Sequence, residues 1–233
     1  MGQLVDLRQR IAIPLYTLSD AARYSHVTRS TLGNWASGYR VAGKSYPALL
    51  MLPEEQPFEQ TALSFENLIE AALIGHWRRR GIPLQRIRRA HALALDEFGE
   101  HPFARQRIYV GGTDLFVEAD ASTADEGGHT FTVLTRAGQH TLGGIVADYL
   151  QFIDWQTGEG YACQLRPPEG RNVVKLNPEI EFGFPNVHRI RTETILHRFL
   201  ADESIEEIAE DFSLREDEVE QALRYEWALP KAA

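Results

Sequence analysis

The stretch from Ser64 to Phe98 constrains this chain more than any other, because it reads as two helices separated by a stop signal. Phe65, Leu68, Ile69, Ala72, Leu73 and Trp77 recur at helical spacing and fall on one face, with Ser64 placed to begin the helix. Gly81 stands just past its end and Pro83 follows, so the helix stops there. The second helix carries Leu84, Ile87, Ala90, Ala94 and Phe98 along one side and is ended by Gly99 and Pro102. Six arginines (Arg78, Arg79, Arg80, Arg86, Arg88 and Arg89) fall within residues 78–89 and form a positive patch. A solvated face with snorkelling arginine stems accounts for them as well as a polyanion partner does.

The segment before this pair has the pattern of a helix-turn-helix. Ser19 can cap a short helix containing Ala21, Ala22 and Tyr24; His26-Val27-Thr28 forms the turn; and Thr28 can cap a second helix carrying Leu32 and Trp35. Val27 and Leu32 are spaced to fill the angle between the helices, which leaves Arg29, Ser30 and Asn34 as available polar groups. Trp35 has the chemistry to stack on a base, but its apolar spacing favours a core position. Gly38 ends the helix. A polar loop with Arg40, Gly43 and Lys44, followed by the apolar run Ala48 to Leu52, predicts a wing of loop and short strand.

From Arg107 onward the pattern turns to strands. Residues 107–117 read as a hairpin, and 131–135, 152–154, 161–164 and 173–176 as further strands. Residues 119–128 read as an exposed loop and 141–149 as a short helix. The last sixty residues return to helix: Ile195, Leu196, Phe199 and Leu200 share a face, Ser204 with Glu207 makes a capping box, and Ser213 with Glu216 repeats the signal before Val219, Ala222, Leu223 and Trp227. The expected fold class is α+β, with a winged helix-turn-helix over 1–105, a small central mostly β module over 106–171 and a three-helix, helix-turn-helix-like bundle over 172–233.

Charge divides the chain. Residues 1–110 hold 14 Lys/Arg against 10 Asp/Glu, whereas residues 111–233 hold 10 against 23, giving the net charge of −9. Two different partners, one part masking another, and two solvated surfaces of unlike composition all fit this division. Between 202 and 226 eleven acids face only Arg215 and Arg224, a composition that repels phosphate and directs the tail towards protein.

Several classes are excluded. One cysteine, Cys163, cannot make a disulfide framework or a cysteine zinc knuckle, and its predicted strand position makes it a small buried hydrophobe. None of the eight histidines forms a His-x-x-x-His pair, there is no Gly-x-Ser-x-Gly elbow, and no phosphate-binding loop follows the paired glycines. The expectation is a protein that is not an enzyme, with no metal and no cofactor. No apolar run approaches the roughly 18 residues of a membrane span and the N-terminus lacks a signal peptide's apolar core, so no membrane partner and a cytoplasmic location are expected.

Two resemblances rest on these residues. Tyr16 to Trp35, the wing-like loop and SFENLIEAALIGHWRRRGIPLQRIRRA resemble the DNA-binding domain of MerR-type regulators. That likeness implies that Thr28, Arg29, Ser30 and Asn34 face the major groove, that Arg40 and Lys44 come from the wing, that Arg78, Arg79 and Arg80 lie near the backbone, and that the chain pairs as a homodimer on a symmetric operator. The sequence departs from the pattern at Gly33, where many members carry a phosphate-binding arginine, and at His26, where a turn glycine is usual. The long dimerising helix and cysteines of the metal-sensing members are absent.

Val173 to Leu176, Asn177-Pro178, Gly183-Phe184-Pro185, Arg191, the Ser204 helix and Val219-x-x-Ala222-Leu223-x-Tyr225-Glu226 are similar to a small domain associated with VapB-type antitoxins, with Arg189-Ile190-Arg191 where Gly-Thr-Arg is usual. Together the two imply an antitoxin of a type II toxin–antitoxin pair, which neutralises a PIN-domain ribonuclease toxin and regulates its own operon through operator DNA. The alternative is a stand-alone MerR-like regulator that senses a small ligand through the central module.

Overall fold

The computed structural model describes residues 6–57, 62–105, 149–156 and 160–230, together with the backbone of three strands at 108–111, 114–118 and 131–133. The expected loop at 119–128 and all but the last residue of the expected helix at 141–149 lie outside the described residues.

The chain opens with α1 (Leu7–Ala12), β1 (Tyr16–Thr17), α2 (Leu18–Ser25) and α3 (Arg29–Ser37). Thr17, rather than Ser19, caps α2: its Oγ1 accepts the Asp20 N–H at 3.1 Å while the Asp20 carboxylate accepts the Thr17 N–H in return. His26 takes the left-handed conformation (φ 52°) that a glycine adopts more cheaply, and its N–H closes α2. Thr28 then caps α3 as expected. A hairpin follows, β2 (Tyr39–Val41) with β3 (Lys44–Tyr46), and β4 (Ala62–Leu63) pairs antiparallel with β1. The wing is thus built from the residues flanking Ala42-Gly43. The run Ala48 to Leu52 is not a strand; it buries Leu49 and Leu50, whose N–H groups bond the Trp35 carbonyl.

The expected helix pair is α4 (Phe65–Arg79) and α5 (Leu84–Phe98), with Gly81 at φ +88° between them. Ser64 and Asn67 form a capping box at the start of α4, and the Asn67 amide also donates to the Met51 carbonyl at 2.7 Å. The single apolar face expected of α4 is a buried cylinder instead: every residue from Phe65 to Gly75 is buried. Its neighbours are α1, α2, β4, α6 (Pro102–Arg105) and a strand of the later chain, which together leave no side for water. Pro102 opens α6 rather than merely ending α5.

Full burial forces the polar residues of α4 to find partners inside. Glu66 and Glu70, one turn apart, meet His101, His91 and Arg105. Arg105 Nε donates to Glu66 at 2.8 Å, His101 faces Glu66 at 3.7 Å and Glu70 at 3.4 Å, and His91 faces Glu70 at 3.5 Å. Burial pushes the Glu70 carboxyl up, but the hydrogen bonds and charges of His101 and His91 more than reverse this and hold it at about 2. Burial pushes His101 down; its hydrogen bond to Glu70 and the two carboxylate charges outweigh that and the opposing Arg105, so it ends raised.

Beyond α6, β5 (Ile108–Gly111), β6 (Asp114–Glu118) and β7 (Phe131–Val133) form an antiparallel meander, which contains the expected hairpin. β8 (Ile153–Trp155) pairs with β9 (Ala162–Leu165), the strand that contacts α4. Residues 173–176 contribute isolated bridges (Leu165 to Leu176, Lys175 to Asn186) rather than a strand. β10 (Asn186–Val187) and β11 (Ile190–Arg191) make a short hairpin ahead of α7 (Thr192–Leu200), α8 (Ile205–Phe212) and α9 (Glu216–Ala228). Ser204 and Glu207 cap α8 as expected, but Ser213 closes α8 in the left-handed conformation (φ 53°) instead of opening α9, ahead of which the Glu218 carboxylate accepts the Arg215 N–H at 3.0 Å. Cys163 lies in β9 and is only partly buried; burial and the nearby Asp154 push its thiol up, and it donates to the Asp154 carbonyl at 3.2 Å. Among the described residues no group of His, Cys, Asp and Glu is arranged to hold a metal, and no helix is long and apolar enough to cross a membrane.

The buried ion cluster sets a pH signature. His101, raised in the folded state, stabilises fully below its ordinary 6.5, and that contribution is lost as pH rises through the raised value. Glu70, lowered, stabilises above its ordinary 4.5 and is lost as pH falls towards about 2. Urea unfolding is therefore expected to give a midpoint that falls on both sides of a window from 4.5 to 6.5. Glu70→Leu, which leaves His91 without its carboxylate and His101 with Glu66 alone, is expected to cost about 3–5 kcal/mol inside that window, to remove the acid limb and to shrink the alkaline one. An unchanged profile in the variant would contradict the assignment.

Candidate nucleic-acid interface

Helix α3 offers an exposed polar face because its apolar residues are fully used inward. Leu32, Trp35 and Ala36 are buried, whereas Arg29, Ser30, Asn34 and Ser37 are exposed. The core position expected for Trp35 is the one observed. Thr28 is exposed, but its hydroxyl is occupied in the cap: Oγ1 accepts the Thr31 N–H at 3.3 Å and donates to Thr31 Oγ1 at 2.8 Å. Of the residues expected on this helix, Ser30 shares a 3.3 Å contact with the Thr28 hydroxyl, while Arg29 and Asn34 keep their side chains outside the cap.

The wing is fixed to α3 at close range. Gly38 has φ +74°, and a Cβ there would lie 2.6 Å from the Tyr46 carbonyl oxygen, so the strand returns against the helix end only because the side chain is missing. Tyr39 and Tyr46, directly opposite in the register, stack at 4.7 Å. Arg88 Nη1 of α5 donates to the Pro47 carbonyl at 2.7 Å and ties the wing base to the helix pair. The register sets Arg40 opposite Ser45 and Lys44 opposite Val41, so the two wing cations project from opposite faces of the ribbon.

The arginines at the C-terminal end of α4 are partly structural. Arg78 donates to the Ile82 carbonyl at 2.7 Å and closes the turn into α5; Arg79 donates to the His26 carbonyl at 2.9 Å and braces the helix-turn-helix turn; Arg80 is exposed at the C-cap. All three residues are exposed, and Arg78 and Arg79 each carry more N–H donors than the one given to a carbonyl. Electrostatics favours the same face: no acid occurs between Asp20 and Glu54, an interval that holds the turn, α3 and the wing and carries Arg23, Arg29, Arg40 and Lys44. Glu169 approaches the turn from the later chain, 3.6 Å from His26 Nε2. Burial lowers the His26 pKa against the pull of that carboxylate.

Two arrangements around this face escaped the sequence reading. The first is the seam with the C-terminal helices. Tyr16 Oη donates to the Gly183 carbonyl at 2.8 Å; Tyr16, Tyr24 and Phe184 pack as an aromatic trio; and Arg23 pairs at 3.2 Å with Glu226, which also accepts from Thr192. Glu218 and Glu226, counted with the acidic surface in the sequence, are buried here at 6% and 8% exposure. The second is the ion cluster on α4, whose available signal was two acids one turn apart in an otherwise apolar helix.

Two regions match described families. Residues 14–91 match one described as "Putative DNA-binding HTH domain", and residues 174–225 match "Protein of unknown function (DUF433)". A relative from Mycobacterium tuberculosis (strain ATCC 25618 / H37Rv), described as "Putative antitoxin VapB45", is 29% identical over 94% of this chain and 96% of its own length. The crystal structure of Rv2018 from Mycobacterium tuberculosis shares the fold, with a TM-score of 0.61 and 22% identity over 91% of this chain and 98% of that one.

The turn depends on Gly75, where a Cβ would lie 2.7 Å from Val27 Cγ2 and 3.3 Å from the Ser25 carbonyl oxygen. Gly75→Ala is expected to cost about 1–3 kcal/mol in denaturant unfolding. Val27→Ala in the same chain is expected to relieve part of that cost, so the double variant loses less than the two single losses added; strict additivity would contradict the contact. The chain is a distant homologue, nearly end to end, of the protein described as "Putative antitoxin VapB45", with a helix-turn-helix head and a C-terminal region matching DUF433.

Proposed function

We propose that this chain is the antitoxin of a type II toxin–antitoxin pair. Its MerR-like head binds operator DNA as a homodimer and its tail neutralises a PIN-domain ribonuclease toxin. The observation that carries the reading is the near full-length likeness to a protein described as an antitoxin. The acid-free interval that forms α3 and the wing supports the DNA half of it. The reading assigns no catalytic step, and it keeps the division into residues 1–105, 106–171 and 172–233.

In this reading the chain's cations displace counterions from the phosphates, which supplies most of the affinity. Arg29 and Asn34 read base edges, because a guanidinium pairs bidentately with guanine and a carboxamide with adenine. Ser30 stands beside them on the same exposed turn, and Thr28 holds the helix start that aims them. Arg40 and Lys44 reach phosphates from the two faces of the wing. Arg78, Arg79 and Arg80 meet the backbone from the α4 end, where Arg79 also holds the turn through the His26 carbonyl.

Titrations against the promoter fragment of the chain's own operon and against a random duplex test the DNA half. Arg29→Ala is expected to narrow the difference between the two by about 1–3 kcal/mol, whereas Lys44→Ala is expected to weaken both alike and reduce the salt slope by about 1. Equal affinity of the parent chain for promoter and random duplex would overturn sequence-specific binding. Growth rescue on co-expression with the ribonuclease encoded beside the chain tests the toxin half; no rescue and no complex would overturn it.

A further inference from the structure

Among the described residues, an apolar patch on the C-terminal helices stands uncovered. Leu200, at the end of α7, is 66% exposed and Trp227, in the last turn of α9, is 58% exposed. The Phe199 ring meets the Trp227 indole edge-on at 5.8 Å, so the patch runs across both helices. One exposed leucine is ordinary, but a half-exposed tryptophan joined to a phenylalanine and a leucine is the composition of a binding anchor.

The chemistry of the rim selects the occupant. Of the eleven acids between 202 and 226, all but Glu218 and Glu226 lie outside the core. The nearby arginines are already committed: Arg198 to Glu203 and Asp211, Arg215 to Asp217, and Arg224 to Glu220. The segment 202–226, which begins two residues after Leu200 and ends beside Trp227, is therefore net negative, and so is the surrounding it gives the patch. A second copy docking face to face through the same patch would set carboxylate against carboxylate, and a nucleic acid or an anionic membrane would be repelled in the same way. A protein whose apolar pocket is ringed by lysine and arginine fits both the anchors and the rim.

We infer that Phe199, Leu200 and Trp227 form the docking surface for the toxin, a basic protein. This inference rests on the antitoxin reading and adds to it the face used and the character of the partner's complementary surface.

The test uses the full chain and the ribonuclease encoded in the same operon, purified as an inactive variant. Trp227→Ala and Leu200→Glu are each expected to weaken the complex about tenfold or more. Leu93→Glu, at a comparably exposed leucine on α5 (53%), is expected to stay within about twofold of the parent. Far-UV circular dichroism and the thermal midpoint establish that each variant is folded, and Trp227→Tyr is expected to recover part of the binding as a retained aromatic anchor. Added salt is expected to slow association. If the parent chain fails to bind, the antitoxin reading and the surface fall together. If the parent binds and both patch variants bind within about twofold of it, the surface alone is overturned.

Discussion

Burial of α4 on every side from Phe65 to Gly75 is the constraint on which the rest of the structure depends. A helix with no face to water must be surrounded, and the chain surrounds it with α1 and α2 of the head, α6, and β9 from the later chain. This requirement joins head and tail into one continuous core running from Ile11 to Leu229. It also explains the two glycines that matter most at close range. Gly75 lets the helix-turn-helix turn lie directly on α4, and Gly183, at φ +81° with a Cβ position 2.3 Å from Tyr16 Oη, lets the tail reach the base of the head. The same burial makes the Glu66–Glu70–His91–His101–Arg105 cluster obligatory, since a carboxylate inside a core is tolerable only when it is paired.

The helices were legible in the sequence because their signals are local. Ser64 before an apolar period, Gly81 ahead of Pro83, and Ser204 with Glu207 each act within one turn of chain, and each stands where it was read. The misreadings came where two local signals competed. Thr17 and Ser19 both offered a cap hydroxyl, and the reciprocal Asp20 decided for Thr17. Ser213 stood between two helices and was taken by the end of the first. The apolar run Ala48 to Leu52 read as strand, but it turns inward to satisfy the Trp35 carbonyl and fill the core.

The candidate site was legible as residue types and not as commitments. Arg29, Ser30 and Asn34 are on the exposed face of α3, as the apolar spacing of Leu32 and Trp35 implied. The hydrogen bonds from Arg78 and Arg79 to the Ile82 and His26 carbonyls, and the opposed faces of Arg40 and Lys44, depend on which segments fold beside them, and spacing along the chain carries no record of that. The charge count had the same limit. The tail is acidic, but Glu218 and Glu226 are internal, and Glu226 pairs with Arg23 of the head across the seam. The two halves of unlike charge are therefore also partners.

In the proposed function the cationic head holds a polyanion and the acidic tail a protein, although the two share one core. Hydrogen–deuterium exchange with the operon's promoter duplex, read residue by residue, tests that separation most directly. Protection is expected across α3 and the wing, from Arg29 to Tyr46, with none along α8 and α9. Protection centred on Glu206 to Glu220, or no protection anywhere on the chain, would contradict it.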